Sequence, residues 1–84
     1  MINYHFVFCP RYRRKIFLYQ GVEERFKELV SQKCKEMDIE IIAMECDKDH
    51  VHLFLNCSPT LAPSYIMKIL KSYSGTILRR EFEL

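Results

Sequence analysis

The chain has 84 residues, 49% of them hydrophobic and 13% aromatic, with a formal net charge of only +2. That length makes one small domain, 1–84, with no room for a second. The near-neutral total says little about nucleic acid, and no apolar run approaches the roughly 18 residues that a membrane span needs.

Four cysteines (Cys9, Cys34, Cys46 and Cys57) are widely spaced, with no C-x-x-C pair. That spacing argues against a zinc ribbon and fits reduced thiols acting as small buried hydrophobes. The opening Met-Ile-Asn-Tyr-His-Phe lacks the regions of a signal peptide, so a cytoplasmic location is expected.

Ile2 to Cys9 alternates and is rich in aromatic and β-branched residues, which predicts a strand. Tyr4, Phe6 and Phe8 share one face; Asn3, His5, Val7 and Cys9 share the other. Pro10 ends the strand. Arg11-Tyr12-Arg13-Arg14-Lys15 follows, a basic loop with one aromatic inside it, and residues 1–22 contain no acid. Such a loop can grip a phosphate backbone while Tyr12 stacks on a base, or it can be plain solvated surface.

Val22 to Asp38 has helical spacing, with Val22, Phe26, Leu29, Val30, Lys33 and Met37 on one stripe that only Lys33 breaks. Ile39 to Cys46 and His50 to Cys57 read as two strands joined by Asp47-Lys48-Asp49, a turn short enough to force an antiparallel hairpin. Breakers Ser58, Pro59, Thr60 and Pro63 mark a loop, and Pro63 suits the first turn of a helix. Ser64 to about Phe82 is then helical, with Ile66, Leu70, Tyr73 and Ile77 as its apolar stripe and Lys68, Lys71 and Arg79 on the opposite face. Gly75 sits in the middle of that helix, where glycine costs about 1 kcal/mol relative to alanine. Close approach by a partner is one reason for a glycine there; simple tolerance is another.

The order strand, helix, strand, strand, helix predicts an α+β, ferredoxin-like β-α-β-β-α unit with an antiparallel sheet, lacking the usual final strand. Glu81 and Glu83 place negative charge at the unfavourable end of a helix dipole, and Phe82 and Leu84 are apolar with nothing following, which reads as the interruption of a longer design. A missing final strand leaves the first strand as a bare sheet edge, and bare edges invite pairing with another chain. A homodimer is expected.

His50-Val51-His52 carries the sharpest chemical signal. Strand alternation puts both imidazoles on one face, about 7 Å apart along the strand, with Val51, Leu53 and Leu55 directed into the core. Two imidazoles on a rigid strand are half of a metal site; two exposed strand histidines with ordinary hydrogen bonds are the plainer alternative. Glu45, on the neighbouring strand, is the first choice for a third ligand, with Cys46 and Asp49 behind it. A zinc site of Cys46, His50 and His52 is a further alternative. Tyrosine can attack phosphate; Tyr73 lies on the apolar stripe, and Tyr65 at the helix start is a weak candidate.

Three segments resemble one family. His5-Phe-Val-Phe-Cys-Pro-Arg-Tyr-Arg-Arg-Lys-Ile-Phe17 resembles the N-terminal signature of insertion-sequence-200-like transposases, the single-tyrosine members of the HUH nuclease superfamily. Asp49-His-Val-His-Leu-Phe54 looks like their metal motif. Lys71-Ser-Tyr-Ser-Gly-Thr-Ile-Leu-Arg-Arg-Glu-Phe82 is similar to their helix ending in a basic pair and phenylalanine. The resemblance implies a ferredoxin-like dimer that transposes DNA through single-stranded hairpin ends. It implies that His50 and His52 hold magnesium or manganese while a tyrosine attacks the scissile phosphate. In the family that tyrosine lies on a further helix, with a glutamine one turn later completing the metal site. The resemblance therefore puts the nucleophilic tyrosine beyond Leu84 and assigns no catalytic residue within 1–84. The expectation is a C-terminally truncated transposase domain that binds single-stranded or hairpin DNA through Arg11, Tyr12, Arg13, Arg14, Lys15, Lys68, Lys71 and Arg79 and does not cleave alone. A non-catalytic DNA-binding remnant is the alternative reading.

Overall fold

The computed structural model describes residues 1–8, 21–47 and 50–82. Five elements follow in order: β1 (Ile2–Phe8), α1 (Val22–Glu36), β2 (Glu40–Cys46), β3 (Val51–Cys57) and α2 (Pro63–Phe82). The strands form one sheet of order β1-β3-β2, with β3 antiparallel to both neighbours. This is the expected α+β, ferredoxin-like arrangement.

The central strand shows why the helices sit where they do. Val51, Leu53, Leu55 and Cys57 alternate along β3, and each is fully buried. They form one core with Val22, Phe26, Leu29, Val30 and Cys34 of α1 and Ile66, Leu70 and Leu78 of α2. Both helices therefore cover one face of the sheet. Intervening β3 residues His52, Phe54 and Asn56 fall on the other.

Helix α1 starts at Gly21, whose φ of 85° is the left-handed conformation that glycine adopts without a side-chain penalty. Glu23 and Glu24 in its first turn and Lys33 and Lys35 in its last complement the helix dipole. The chain leaves α1 through a Schellman motif. Asp38 takes the left-handed position at φ 61°, its N–H donates to Lys35 O at 3.2 Å, and Ile39 N–H donates to Cys34 O at 2.8 Å. Buried Ile39 then packs into the core beside Cys34.

Helix α2 begins at Pro63, with Ile66 N–H donating to Ala62 O at 3.1 Å. Its buried line is Ile66, Leu70, Ser74 and Leu78, not the expected stripe through Tyr73 and Ile77, which flank the core half-buried. The strict four-residue step keeps one narrow row facing the sheet. Ser74 fits that row because its hydroxyl donates to Leu70 O at 2.7 Å. The helix is described as far as Phe82; Glu83 and Leu84 lie outside the described residues.

The helices run antiparallel. Arg25 grips Glu81 with two bonds, Nε to Oε1 at 2.8 Å and Nη2 to Oε2 at 2.9 Å. Further along, Tyr73 Oη donates to Gln32 Oε1 at 3.4 Å, and Lys33 Nζ lies 4.9 Å from the Tyr73 ring centroid. These contacts explain two oddities of the sequence. Lys33 interrupts the apolar stripe of α1 because it sits over an aromatic ring. Glu81, at the unfavourable end of the α2 dipole, has Arg25 as its partner, and that bond holds its carboxyl below the usual range.

Candidate metal and nucleic-acid site

The strand registers determine which side chains share the open face of the sheet. On β1, Val7 pairs with His52, His5 with Phe54 and Asn3 with Asn56. On β2, Glu45 pairs with His52, Ala43 with Phe54 and Glu40 with Asn56; a register shift between Ile41 and Ala43 accommodates Ile42. The expected pairing of the first and third strands, and of Glu45 beside the histidines, is therefore present.

His52 is the anchor of this face. Its Nε2 lies 3.7 Å from Asp47 Oδ2, a gap that two metal–ligand bonds of about 2.1 Å can bridge. His50 is exposed and lies just before β3, one residue outside the expected strand. Its carbonyl accepts the Asp47 N–H at 2.8 Å, so the residue closes the hairpin instead of extending the ladder. The donor chemistry suits a divalent ion: imidazole from His50 and His52, carboxylate from Asp47 or Glu45. Among the described residues, however, no three His, Cys, Asp or Glu side chains are gathered closely enough to hold an ion. The set fits as a pair of imidazole donors with open positions around it.

Two other ligand expectations resolve differently. Cys46 pairs with Val51, on the face opposite His52, so Cys46, His50 and His52 form no zinc site. Burial against the helix layer, with Glu23 nearby, pushes its thiol up to about 11, unsuited to a thiolate ligand. Asp49 lies outside the described residues.

The tyrosines are on the wrong side. Tyr65 is half exposed at the start of α2 and Tyr73 lies at the contact between α1 and α2, both in the helix layer across the sheet from His52. That position removes Tyr65 as a nucleophile for a phosphate held at His52. Tyr4 pairs with Leu55 on the core side. Among the described residues, no tyrosine shares the face of His52. The expected nucleophile, placed beyond Leu84 by the family resemblance, falls outside the 84 residues of this sequence, so no structural feature bears on it.

The basic loop Arg11, Tyr12, Arg13, Arg14 and Lys15 lies outside the described residues. On α2, Lys68 and Lys71 are exposed, as expected. Arg79 is half-buried and folds along its own helix, Nε donating to Gly75 O at 3.2 Å and Nη2 to Thr76 Oγ1 at 3.5 Å; Arg80 is the more exposed of the pair. The α2 cations and the histidine pair are thus on opposite sides of the sheet. A Cβ at Gly75 would meet nothing within 4 Å, so no packing contact requires glycine there.

Sequence reasoning missed the partnership of His5 and Phe54. Their rings stack with centroids 4.1 Å apart and planes at 6°, and His5 also stacks on His52 at 5.8 Å and 24°. The available signal was Phe54 itself, a large aromatic at an outward position between two core leucines.

Comparison with known proteins places these features together. Residues 1–84 match the family model described as "Transposase IS200 like". The transposase for insertion sequence element IS200 from Salmonella typhimurium LT2 is 33% identical over 80 residues, 95% of this chain and 52% of that protein. The ISDra2 transposase TnpA of Deinococcus radiodurans R1 is 32% identical over 81 residues, 96% of this chain and 55% of the relative. A crystal structure of a Deinococcus radiodurans R1 protein assigned as a transposase superposes with a TM-score of 0.87 at 26% identity, over 98% of this chain and 62% of that one. The chain spans about half the length of the curated relatives it matches.

Proposed function

This chain belongs to the IS200-like transposase family, and from that premise we propose that the open face of its sheet is the metal-holding half of a DNA strand-transfer site. In this reading His50 and His52 donate imidazole nitrogens to magnesium or manganese, with Asp47 and Glu45 as carboxylates within the same corner. A divalent ion held there supplies charge stabilisation at the oxygens of a phosphodiester. The observation that supports the reading is the placement of His52, opposite Glu45 and beside Asp47 on a face that neither helix covers. Asp47 orients the imidazole by charge, and the buried row Val51, Leu53 and Leu55 keeps the strand rigid beneath it.

The DNA is proposed to be single-stranded or hairpin DNA, held by Arg11, Tyr12, Arg13, Arg14 and Lys15, with Lys68, Lys71 and Arg79 contributing from α2. A homodimer through the β1 edge fits the position of that strand at the border of the sheet. Tyrosine attack on the scissile phosphate, by a residue beyond Leu84, belongs to the proposal for the intact family reaction. With Tyr4, Tyr65 and Tyr73 all on the other side of the sheet, residues 1–84 by themselves are proposed to bind without cutting.

Calorimetric titration with manganese, on the chain and on a His50→Ala plus His52→Ala variant, tests the metal. A binding heat that the double variant abolishes is expected; equal heats would defeat the assignment. Gel shift with labelled hairpin DNA at low salt tests the nucleic acid, and binding should weaken on Arg13→Ala plus Arg14→Ala. A covalent protein–DNA adduct in the presence of manganese would overturn the claim that the chain does not cut. The absence of a third gathered ligand among the described residues favours one rival, a DNA-binding module without metal affinity. The same titration separates the two.

A further inference from the structure

Phe54 is hard to explain as part of the fold. It stands on the face of the sheet away from the core, 36% exposed, among His5, His52, Asn3, Asn56, Glu40 and Glu45. One face of its ring is covered by His5, in parallel contact at 4.1 Å. Its neighbour towards β2 is Ala43, whose single methyl is too short to cover the other. His52 continues the row of rings beyond His5. The result is a short aromatic platform, open above Ala43 and bordered by polar side chains.

We propose that Phe54 and His5 form a stacking platform for a nucleobase of single-stranded DNA. This rests on the reading that a DNA strand passes over His50 and His52, and it assigns a separate task to residues outside that pair. Three observations carry it. Aromatic rings on the open face of an antiparallel sheet are a general means of holding unpaired bases, because every base has a π face whatever its sequence. The row also has a suitable spacing. Positions 52 and 54 are about 7 Å apart along the strand, of the order of one nucleotide of extended single strand, so a phosphate near His52 leaves a base near Phe54. Finally, the border chemistry selects the occupant. An apolar helix or a second copy seated here would bury Glu45, Asn3 and Asn56 against itself without partners, which is costly. A nucleobase presents an apolar face to the rings and hydrogen-bonding edges to those same side chains.

The test uses the fact that the chain contains no tryptophan. In Phe54→Trp the new indole is the only tryptophan fluorophore, placed at the platform. Titration with a short oligothymidine should quench its emission, whereas an abasic oligomer of equal length, bound through its phosphates, should leave emission unchanged. In parallel, fluorescence anisotropy on Phe54→Ala should show binding to oligothymidine weakened about tenfold, the scale of one lost base stack, with abasic binding unaffected. Binding of oligothymidine without quenching, and undiminished in Phe54→Ala, would overturn the platform while leaving the DNA-binding reading intact. No anisotropy change with either oligomer would overturn both. A blue shift of the indole that grows with protein concentration before DNA is added would show that a second copy covers the face, and would overturn the proposal.

Discussion

Adjacent positions on β3 should respond to truncation in opposite ways. Leu53 is fully buried, between Phe6 of β1 and Met44 of β2. Truncating such a leucine to alanine removes its transfer free energy and leaves a cavity, about 3–5 kcal/mol together. The stability of an 84-residue domain is roughly 4–13 kcal/mol, so Leu53→Ala removes a large share of it. Its neighbour Phe54 is the larger side chain but touches no core; Phe54→Ala loses the cross-strand stack on His5, about 0.2–1 kcal/mol. Thermal unfolding followed by far-UV circular dichroism should show a melting temperature lowered by roughly 12 °C or more for Leu53→Ala and by only a few degrees for Phe54→Ala. Urea midpoints should rank the same way. Equal losses, or a larger loss at Phe54, would refute the division of the sheet into a core face and an open face, and the placement of His52 would fall with it.

Asp38 adopts a left-handed conformation that glycine adopts without strain, so Asp38→Gly should raise stability by about 0.5–1 kcal/mol, read as a higher urea midpoint. Gly75→Ala should add about 1 kcal/mol to α2, since a Cβ there meets only open space; a lower melting temperature would contradict that. Burial pushes the Cys34 and Cys46 thiols up to about 11, so the folded chain keeps protons that the unfolded chain releases. Stability from this source is full below the ordinary thiol value of 9.0 and is lost as pH rises towards 11. The urea midpoint should therefore fall between those limits, and fall less steeply in Cys34→Ala.

Local physics in the sequence determined the elements. Alternation in 2–8 and 50–57, helical spacing from Val22 and from Pro63, and a short hairpin turn are all properties of neighbouring residues, and each element formed within one or two residues of expectation. The face of His52 was legible for the same reason: strand parity is fixed once Val51, Leu53 and Leu55 are assigned to the core. What tertiary structure decided were matters of pairing at a distance. Register, not parity, set Glu45 opposite His52, put Cys46 with the core and brought His5 of β1 onto Phe54 of β3. Arg25 and Glu81, which looked like an ordinary surface charge and a misplaced one, are joined only because the helices run antiparallel over the sheet. Likewise, the separation of the α2 cations from the histidine pair follows from which face the helices cover. Spacing along a chain fixes the side on which a residue stands; only packing fixes what stands next to it.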